Sequence, residues 1–220
     1  MCGIAGYLGT ADVHAETILA ELRHRGPDGA GIWKRRVAPD ASLMLVHTRL
    51  KILDLSEKAA QPMRLDEERR LQPVAAGGES RFVAVYNGEI YNFRALRDEL
   101  AGRGHRFESS GDTEVLVRGF SEWGPELFLR LDGMFAVAVY DRDQQRLVLG
   151  RDPLGIKPLY YARTREGGLG FASETRALLK MGIVETNLDE SAVVDYLETG
   201  SVRDPATLYR HVRSLPSGHF

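Results

Sequence analysis

The second residue of the chain is its only cysteine, and this position gives it two chemically useful groups. If the initiator methionine is removed, Cys2 becomes the first residue and carries a free α-amine beside its thiol. An unperturbed α-amine has a pKa of roughly 7.7–8.0, so it can accept a proton near neutral pH. One residue then supplies a nucleophile and its base, as an N-terminal threonine does. A Met-Cys start can also be an accident of position, and the other motifs decide between these interpretations.

Asn87 and Gly88 carry the hydrogen-bond donors that such a nucleophile needs. They follow a strand predicted at residues 82–86, and a helix is predicted after Asn92. Asn-Gly is a strong hairpin signal, but no second strand pattern follows it here. We therefore predict a strand-to-helix corner, where the Asn87 amide and the Gly88 N–H point at one spot. An oxyanion requires two such converging donors.

Charged residues at the ends of predicted elements are the remaining candidates. Arg49 follows a predicted strand, where a solvated surface arginine is usual, yet arginine is also suited to a bidentate grip on a carboxylate. Asp112 opens a predicted helix, and its local pattern favours an N-cap carboxylate. Arg25 and Asp28 lie in a turn-rich segment that favours a surface loop. They could equally form an internal ion pair that holds this loop beside the N-terminus.

The elements that position these residues alternate between short strands and helices. The hydrophobic pattern predicts strands at residues 2–8, 30–35, 43–47, 82–86, 133–141, 146–150, 158–161 and 170–172. It predicts helices at residues 15–23, after 92, from 112, and at 175–180 and 188–196. The charged segment 64–80, which contains Gly77-Gly78, is predicted to be an exposed loop or a loose hairpin.

Composition limits the class of protein. The 220 residues suit one large domain, or one domain and the start of another, and 43% of them are hydrophobic. The net charge is −2 with both signs mixed, which argues against a nucleic-acid or membrane surface. A single cysteine fits a reducing cytosol. The sequence shows no signal peptide and no apolar run near the roughly 18 residues of a membrane-spanning helix, so a cytoplasmic location is predicted.

Seven motifs in a fixed order resemble the glutaminase domain of glutamine-hydrolysing asparagine synthetases. This domain is a class II amidotransferase with an N-terminal nucleophile. The motifs are MCGI at 1–4, HRGPDG at 24–29, RLKILD at 49–54, QPM at 61–63, YNGEIYN at 86–92, GDTEVL at 111–116 and GRDPLGIKPLYY at 150–161. The resemblance covers roughly residues 2–180 and implies an α+β fold. Two antiparallel sheets would pack face to face between helices, in a four-layer α/β/β/α sandwich.

The resemblance also implies a role for each candidate in cleaving L-glutamine to glutamate and ammonia. Cys2 would attack through a thioester with its α-amine as base, while Asn87 and the Gly88 N–H would form the oxyanion hole. Arg49 would bind the α-carboxylate of glutamine, and Arg25 would order the loop near Cys2. The other implied substrate-binding residues are Glu89 and Asp112 for the α-ammonium, and Leu50, Ile52 and Leu53 for the pocket wall. No metal ligand is implied.

In this family, ammonia passes to a C-terminal synthetase domain that uses ATP and Mg²⁺ to amidate aspartate. The Ser-Gly-Gly-x-Asp-Ser phosphate loop of that domain does not occur in these 220 residues. We therefore expect a glutaminase domain at residues 2–185, and a linker with the beginning of a truncated synthetase domain at 186–220. The expected partners are glutamine and that synthetase domain, with no nucleic acid and no membrane, and a homodimer is left open.

Three other interpretations compete with this one. The chain could belong to another amidotransferase of the same branch, one that modifies a peptide or a sugar. It could be a non-catalytic glutamine-binding module, although Cys2 and Asn87 are both present. A metal hydrolase is the weakest, because the six histidines show no HxxxH or HxH spacing.

Overall fold

The structure is a computed structural model that describes residues 1–73 and 79–220. Its strands are β1 (Gly3–Gly9), β2 (Gly29–Arg36), β3 (Ser42–Arg49), β4 (Met63–Leu65), β5 (Leu71–Gln72), β6 (Phe82–Ile90), β7 (Gly133–Asp141), β8 (Arg146–Arg151), β9 (Tyr160–Arg163), β10 (Leu169–Ala172) and β11 (Arg213–Ser214). Its α-helices are α1 (Ala15–Leu22), α2 (Phe93–Gly102), α3 (Asp112–Trp123), α4 (Thr175–Lys180) and α5 (Glu190–Thr199). Short 3₁₀ turns lie at Arg23–Arg25, Glu57–Ala59 and Gly124–Leu129.

The strands form two sheets in which neighbouring strands run antiparallel. The first sheet has the order β11-β9-β10-β1-β3-β2, and the second has the order β5-β4-β6-β7-β8. The N-terminal strand β1 therefore lies inside the first sheet, between β10 and β3. This central position fixes the backbone that begins at Cys2.

Side chains on these strands alternate between two buried environments, because successive residues of a strand point to opposite faces. On β3, Leu43 and Leu45 pack between the two sheets, whereas Met44 and Val46 pack under α1 and α4. A third cluster lies between the second sheet and the helices α2 and α3. Three apolar layers separate four layers of secondary structure, which confirms the predicted α/β/β/α sandwich.

Strand β6 differs from its prediction. It continues through Asn87 and Gly88 to Ile90, paired with β7 along its whole length, so the predicted strand-to-helix corner at Asn87-Gly88 is wrong. The physical reason is tertiary: the β7 backbone approaches so closely that a Cβ at Gly88 would lie 2.3 Å from the Met134 carbonyl oxygen. Gly88 permits close strand pairing here and does not make a turn.

The described part of segment 64–80 is less exposed than predicted. Met63–Leu65 forms the buried strand β4, which pairs with β5 and β6. Residues 63–72 thus form a hairpin at the edge of the second sheet, the second of the two predicted alternatives, and Gly77-Gly78 falls outside the described residues.

The C-terminal segment packs on the first sheet. Strand β11 pairs with β9, and Val212 is fully buried in the cluster under α1 and α4. The domain boundary at residue 185 stays a prediction. Within the described part of the chain, every helix is too short or too polar to cross a lipid bilayer.

Candidate active site

On three strands, the side chains that face the space between the two sheets form rows that extend to one end of the sandwich. Ile4 of β1, Leu45 of β3 and Val85 of β6 all pack between the sheets. Because side chains two residues apart on a strand share a face, the same rows lead to three of the candidates. These are Cys2, Arg49 and Asn87.

The candidates line one open pocket at this end of the sandwich. The structure brings all nine predicted residues to its wall: Cys2, Arg49, Leu50, Ile52, Leu53, Asn87, Gly88, Glu89 and Asp112. Their individual roles stay predictions. Among the residues that the structure describes, no cluster of three or more His, Cys, Asp or Glu side chains is arranged to hold a metal ion.

The Cys2 thiol is half-buried against the backbone of Leu50. The Leu50 N–H donates to Cys2 Sγ at 3.4 Å, and Sγ lies 3.7 Å from the Leu50 carbonyl oxygen. Burial raises the pKa of the Cys2 thiol above its ordinary value, although this hydrogen bond and the charge of Arg49 oppose the shift. Because the thiolate is the nucleophile, this thiol needs a base that takes its proton.

Asn87 presents a buried donor to the pocket. Its side chain is 2% exposed, and its Nδ2 has no hydrogen-bond partner among the described residues. A buried amide N–H without a partner costs roughly 1–3 kcal/mol of desolvation. This cost is offset if the Asn87 amide binds a group of the substrate.

The Gly88 N–H points to the edge of β6 that does not pair with β7. Backbone N–H groups alternate sides along a strand, so Gly88 shares the side of Tyr86 and Ile90. The Tyr86 N–H donates to Gln61 Oε1 at 2.6 Å, and the Ile90 N–H donates to Asp112 Oδ2 at 3.1 Å. The Gly88 N–H thus lies between two N–H groups that point away from β7.

Asp112 is the first residue of α3, and its carboxylate contacts the second sheet. The Tyr86 hydroxyl donates to Asp112 Oδ2 at 2.7 Å, on the same oxygen that accepts from Ile90. Burial raises the pKa of the Asp112 carboxyl. The helix start therefore places a buried carboxylate on the pocket wall, where it can bind a cation.

Arg49 holds the loop that covers the pocket. Its guanidinium donates to the carbonyl oxygens of Asp54 and Ser56, at 2.5 and 2.8 Å. The Asp54 carboxylate in turn accepts from Ser110 N and Oγ, at 2.7 and 3.0 Å. These contacts use two of the five N–H groups of an arginine, so Arg49 orders the loop and keeps donors for a ligand.

His47 lies on the inward face of β3 and is fully buried. Burial lowers its pKa to about 3, and the charge of Arg49 acts in the same direction. His47 is therefore neutral near pH 7. In the sequence, His47 is only one of six histidines that lack metal-ligand spacing, and no local pattern indicates that it is buried.

Glu174 anchors Arg25, which holds the Cys2 backbone. No sequence motif indicated a role for Glu174. Arg25 Nε donates to the Cys2 carbonyl oxygen at 3.0 Å, and Arg25 also donates to Glu174 Oε1 at 3.0 Å. His24 Nε2 lies 2.7 Å from the same carboxylate oxygen. No local pattern reveals the Arg25–Glu174 pair, because its members are 149 residues apart.

If Cys2 is the nucleophile that the sequence predicts, replacing Glu174 by glutamine should lower kcat about tenfold and change KM little, because a released Arg25 would no longer fix Cys2 for attack. Steady-state assays of glutamate release measure both constants. The exposed Glu185→Gln is the matched control and should behave as the unmodified chain. Glu174→Asp, which keeps the charge, should recover part of kcat, and an unchanged kcat in Glu174→Gln would contradict the positioning role.

Comparison with known proteins places this chain among glutamine amidotransferases. The family model described as "Glutamine amidotransferase domain" matches residues 1–220. A putative glutamine-hydrolysing asparagine synthetase from Mycobacterium tuberculosis H37Rv is 37% identical over 100% of the chain and 34% of its own length. Asparagine synthetase B of Escherichia coli K12 is 40% identical over 72% of the chain and 25% of its own length. The chain thus spans about a third or less of the length of these curated relatives.

A solved structure shares the fold. The glutamine phosphoribosylpyrophosphate amidotransferase from Bacillus subtilis superposes with a TM-score of 0.63. The match covers 82% of this chain and 44% of that one, at 20% identity. At this identity the likeness concerns the two-sheet sandwich alone.

Proposed function

The chain belongs to the glutamine amidotransferase domain family, and from this we propose that it hydrolyses glutamine to glutamate and ammonia through a thioester on Cys2. The observation that carries the proposal is the buried Asn87 Nδ2, which has no hydrogen-bond partner among the described residues and lies in the same pocket as the Cys2 thiol. A nucleophile and a preorganised donor for developing negative charge are the two requirements of acyl transfer.

In the proposed first step, the thiol proton passes to the α-amine of Cys2 after Met1 has been removed. The sulfur bonds to the side-chain carbonyl carbon of glutamine, and the carbonyl electron pair moves onto oxygen. Asn87 Nδ2 and the Gly88 N–H donate to that oxyanion. As the tetrahedral intermediate collapses, the α-ammonium protonates the departing nitrogen, which leaves as ammonia.

Water completes the reaction. The α-amine accepts a proton from water as its oxygen attacks the thioester carbon. The C–S bond then breaks, glutamate leaves, and the proton returns to sulfur. Burial raises the pKa of the Cys2 thiol, so the first step needs a base to remove the thiol proton, and in the second step the same base activates water.

The charged residues of the pocket suit a zwitterionic amino acid. Arg49 is proposed to bind the α-carboxylate with the donors that the loop carbonyls leave, and Glu89 and Asp112 to bind the α-ammonium. Leu50, Ile52 and Leu53 form the wall beside them.

The longer protein that the relatives indicate is proposed to use the ammonia in making asparagine. The two relatives described above are named as asparagine synthetases, and the chain matches about a third or less of each. A synthetase domain following residue 185 would bind ATP and Mg²⁺ and amidate aspartate. A cytoplasmic location is part of this proposal.

The chain freed of Met1 should release glutamate and ammonia from glutamine without ATP, because every residue proposed to contact glutamine lies between Cys2 and Asp112. It should form no asparagine from aspartate, ATP and ammonia. Enzyme-coupled glutamate detection and intact-mass measurement test both statements. A chain that retains Met1 is the control and should be inactive, since its Cys2 nitrogen is a peptide amide. Full activity with Met1 retained would contradict the mechanism.

A further inference from the structure

The loop between β8 and β9 carries the longest sequence motif, and the proposed mechanism does not use it. Its centre is Asp152, which is completely buried. The Asp152 carboxylate accepts from the backbone N–H groups of Phe135, Leu154, Ile156 and Lys157, at distances of 2.9–3.2 Å. Four such hydrogen bonds to one carboxylate fix the shape of the loop.

Arg151 fixes the other side of the loop. Its guanidinium donates to the carbonyl oxygens of Gly155, Lys157 and Leu215, at 2.8, 3.1 and 2.7 Å. It also pairs with Asp204 at 3.0 Å. The Lys157 backbone is therefore held through both its N–H and its carbonyl, so its side chain begins at a fixed point.

The Lys157 side chain extends to the N-terminus. Lys157 is 6% exposed, and its Nζ donates to Met1 Sδ at 3.4 Å. A thioether is a weak acceptor, so this is a poor partner for a buried ammonium. Five bonds join Met1 Sδ to the Cys2 nitrogen and span at most about 6.5 Å, which places Nζ within about 10 Å of that nitrogen.

We propose that Lys157 is a positioning residue for the N-terminal base: its positive charge keeps the Cys2 α-amine unprotonated near pH 7 once Met1 is removed. The inference rests on the proposed function, in which that amine accepts the thiol proton. A nearby cation disfavours the charged form of an amine, and burial reduces the screening of this effect. A larger fraction of the enzyme then has an unprotonated Cys2 α-amine near pH 7.

Other charged groups also act on this amine. The charged and titratable groups on the surrounding elements are Arg25, Arg49, Asp54, Tyr86, Glu89, Asp112, Asp152 and the Cys2 thiol. The carboxylates oppose Lys157 and the two guanidiniums act with it. Arg25 is paired with Glu174 at 3.0 Å. Asp152 already accepts hydrogen bonds from four backbone N–H groups, three from its own loop and one from β7. Lys157 is distinguished by a contact to Met1 itself, which processing removes.

Titration of the α-amine tests the proposal without any need for activity. In a Cys2→Ala chain freed of Met1, the rate of N-terminal acylation by an amine-selective ester is measured against pH by mass spectrometry of the N-terminal peptide. Lys157→Met should raise the apparent pKa of this amine by about one unit, the shift expected of a charge about 10 Å away at an effective dielectric constant near 20. Lys157→Arg retains the charge and should titrate as the parent chain. The matched control is Lys34→Met, which removes an exposed lysine of β2.

An unchanged amine pKa in Lys157→Met would overturn the proposal, and so would an equal rise in Lys157→Arg. If Lys157→Met does not fold by circular dichroism, Lys157→Gln takes its place. In the chain that keeps Cys2, the acidic limb of kcat/KM for glutamine should move to higher pH by the same amount. A shifted amine without glutaminase activity in any chain would count against the proposed function alone.

Discussion

Replacement of Cys2 by alanine is expected to reduce glutamine hydrolysis to the background rate. The chain contains no other cysteine, so no second thiol can form the thioester. Losing the nucleophile of an acyl-transfer enzyme costs about 10⁶ in kcat in the best-measured case. Cys2→Ser is the informative companion, because it keeps an oxygen nucleophile and the α-amine and tests whether sulfur itself is required.

The measurement combines glutamate release with covalent labelling. An electrophilic glutamine analogue should add its mass to Cys2 in the unmodified chain and to no residue in Cys2→Ala. Equal glutamate release by both chains would refute the nucleophile assignment. If neither chain turns over, labelling of Cys2 that excess glutamine suppresses would still show an intact binding pocket, and failure to label would contradict the assignment.

The fold could be predicted from the sequence because its local signals and its tertiary structure agree over most of the chain. Strand β7 was predicted at its observed limits, and helix α4 likewise, since both have clear apolar patterns and turn residues at their ends. The four-layer arrangement is predicted only through the family resemblance that the motifs carry. Alternating strands alone indicate a sheet but do not decide what packs on each face.

Asn87-Gly88 shows where the local signal failed. The pair is a strong turn signal, yet in the fold it lies inside β6 because β7 pairs with it residue by residue. Tertiary pairing thus overrode local preference, as is common for strands. We still propose that the Asn87 amide and the Gly88 N–H donate to one oxyanion, but the physical cause differs from the predicted corner. Because N–H groups alternate sides along a strand, the Gly88 N–H points away from β7.

Glu174 and Lys157 could not be assigned from local sequence. Each contacts a partner that only the fold brings near: Glu174 pairs with Arg25, 149 residues away, and Lys157 Nζ reaches Met1, 156 residues away. Arg49 is a further case, because its hydrogen bonds to the loop carbonyls depend on the path of that loop. Residue types indicated what these side chains can bind, whereas packing decides which partners they meet.

Asn87→Ala is expected to lower kcat for glutamine about 10²–10³-fold with only a modest change in KM. The reason is that the buried Asn87 Nδ2 lacks a partner among the described residues and is proposed to gain one when charge develops on the carbonyl oxygen. An interaction made mainly in the transition state changes kcat and leaves ground-state binding almost intact. The matched control is Asn187→Ala, an exposed asparagine far along the chain, which should keep both constants.

Arg49→Ala gives the opposite pattern and makes the test specific. A carboxylate clamp acts on substrate and transition state alike, so its loss should chiefly raise KM. Some loss of kcat is expected as well, because Arg49 also holds the pocket loop through Asp54 and Ser56. Arg49→Lys keeps the charge but not the planar guanidinium, so its KM should lie between those of the unmodified chain and Arg49→Ala. If Asn87→Ala mainly raised KM while Arg49→Ala mainly lowered kcat, the two roles would have to be exchanged, and the oxyanion would need a donor other than the Asn87 amide.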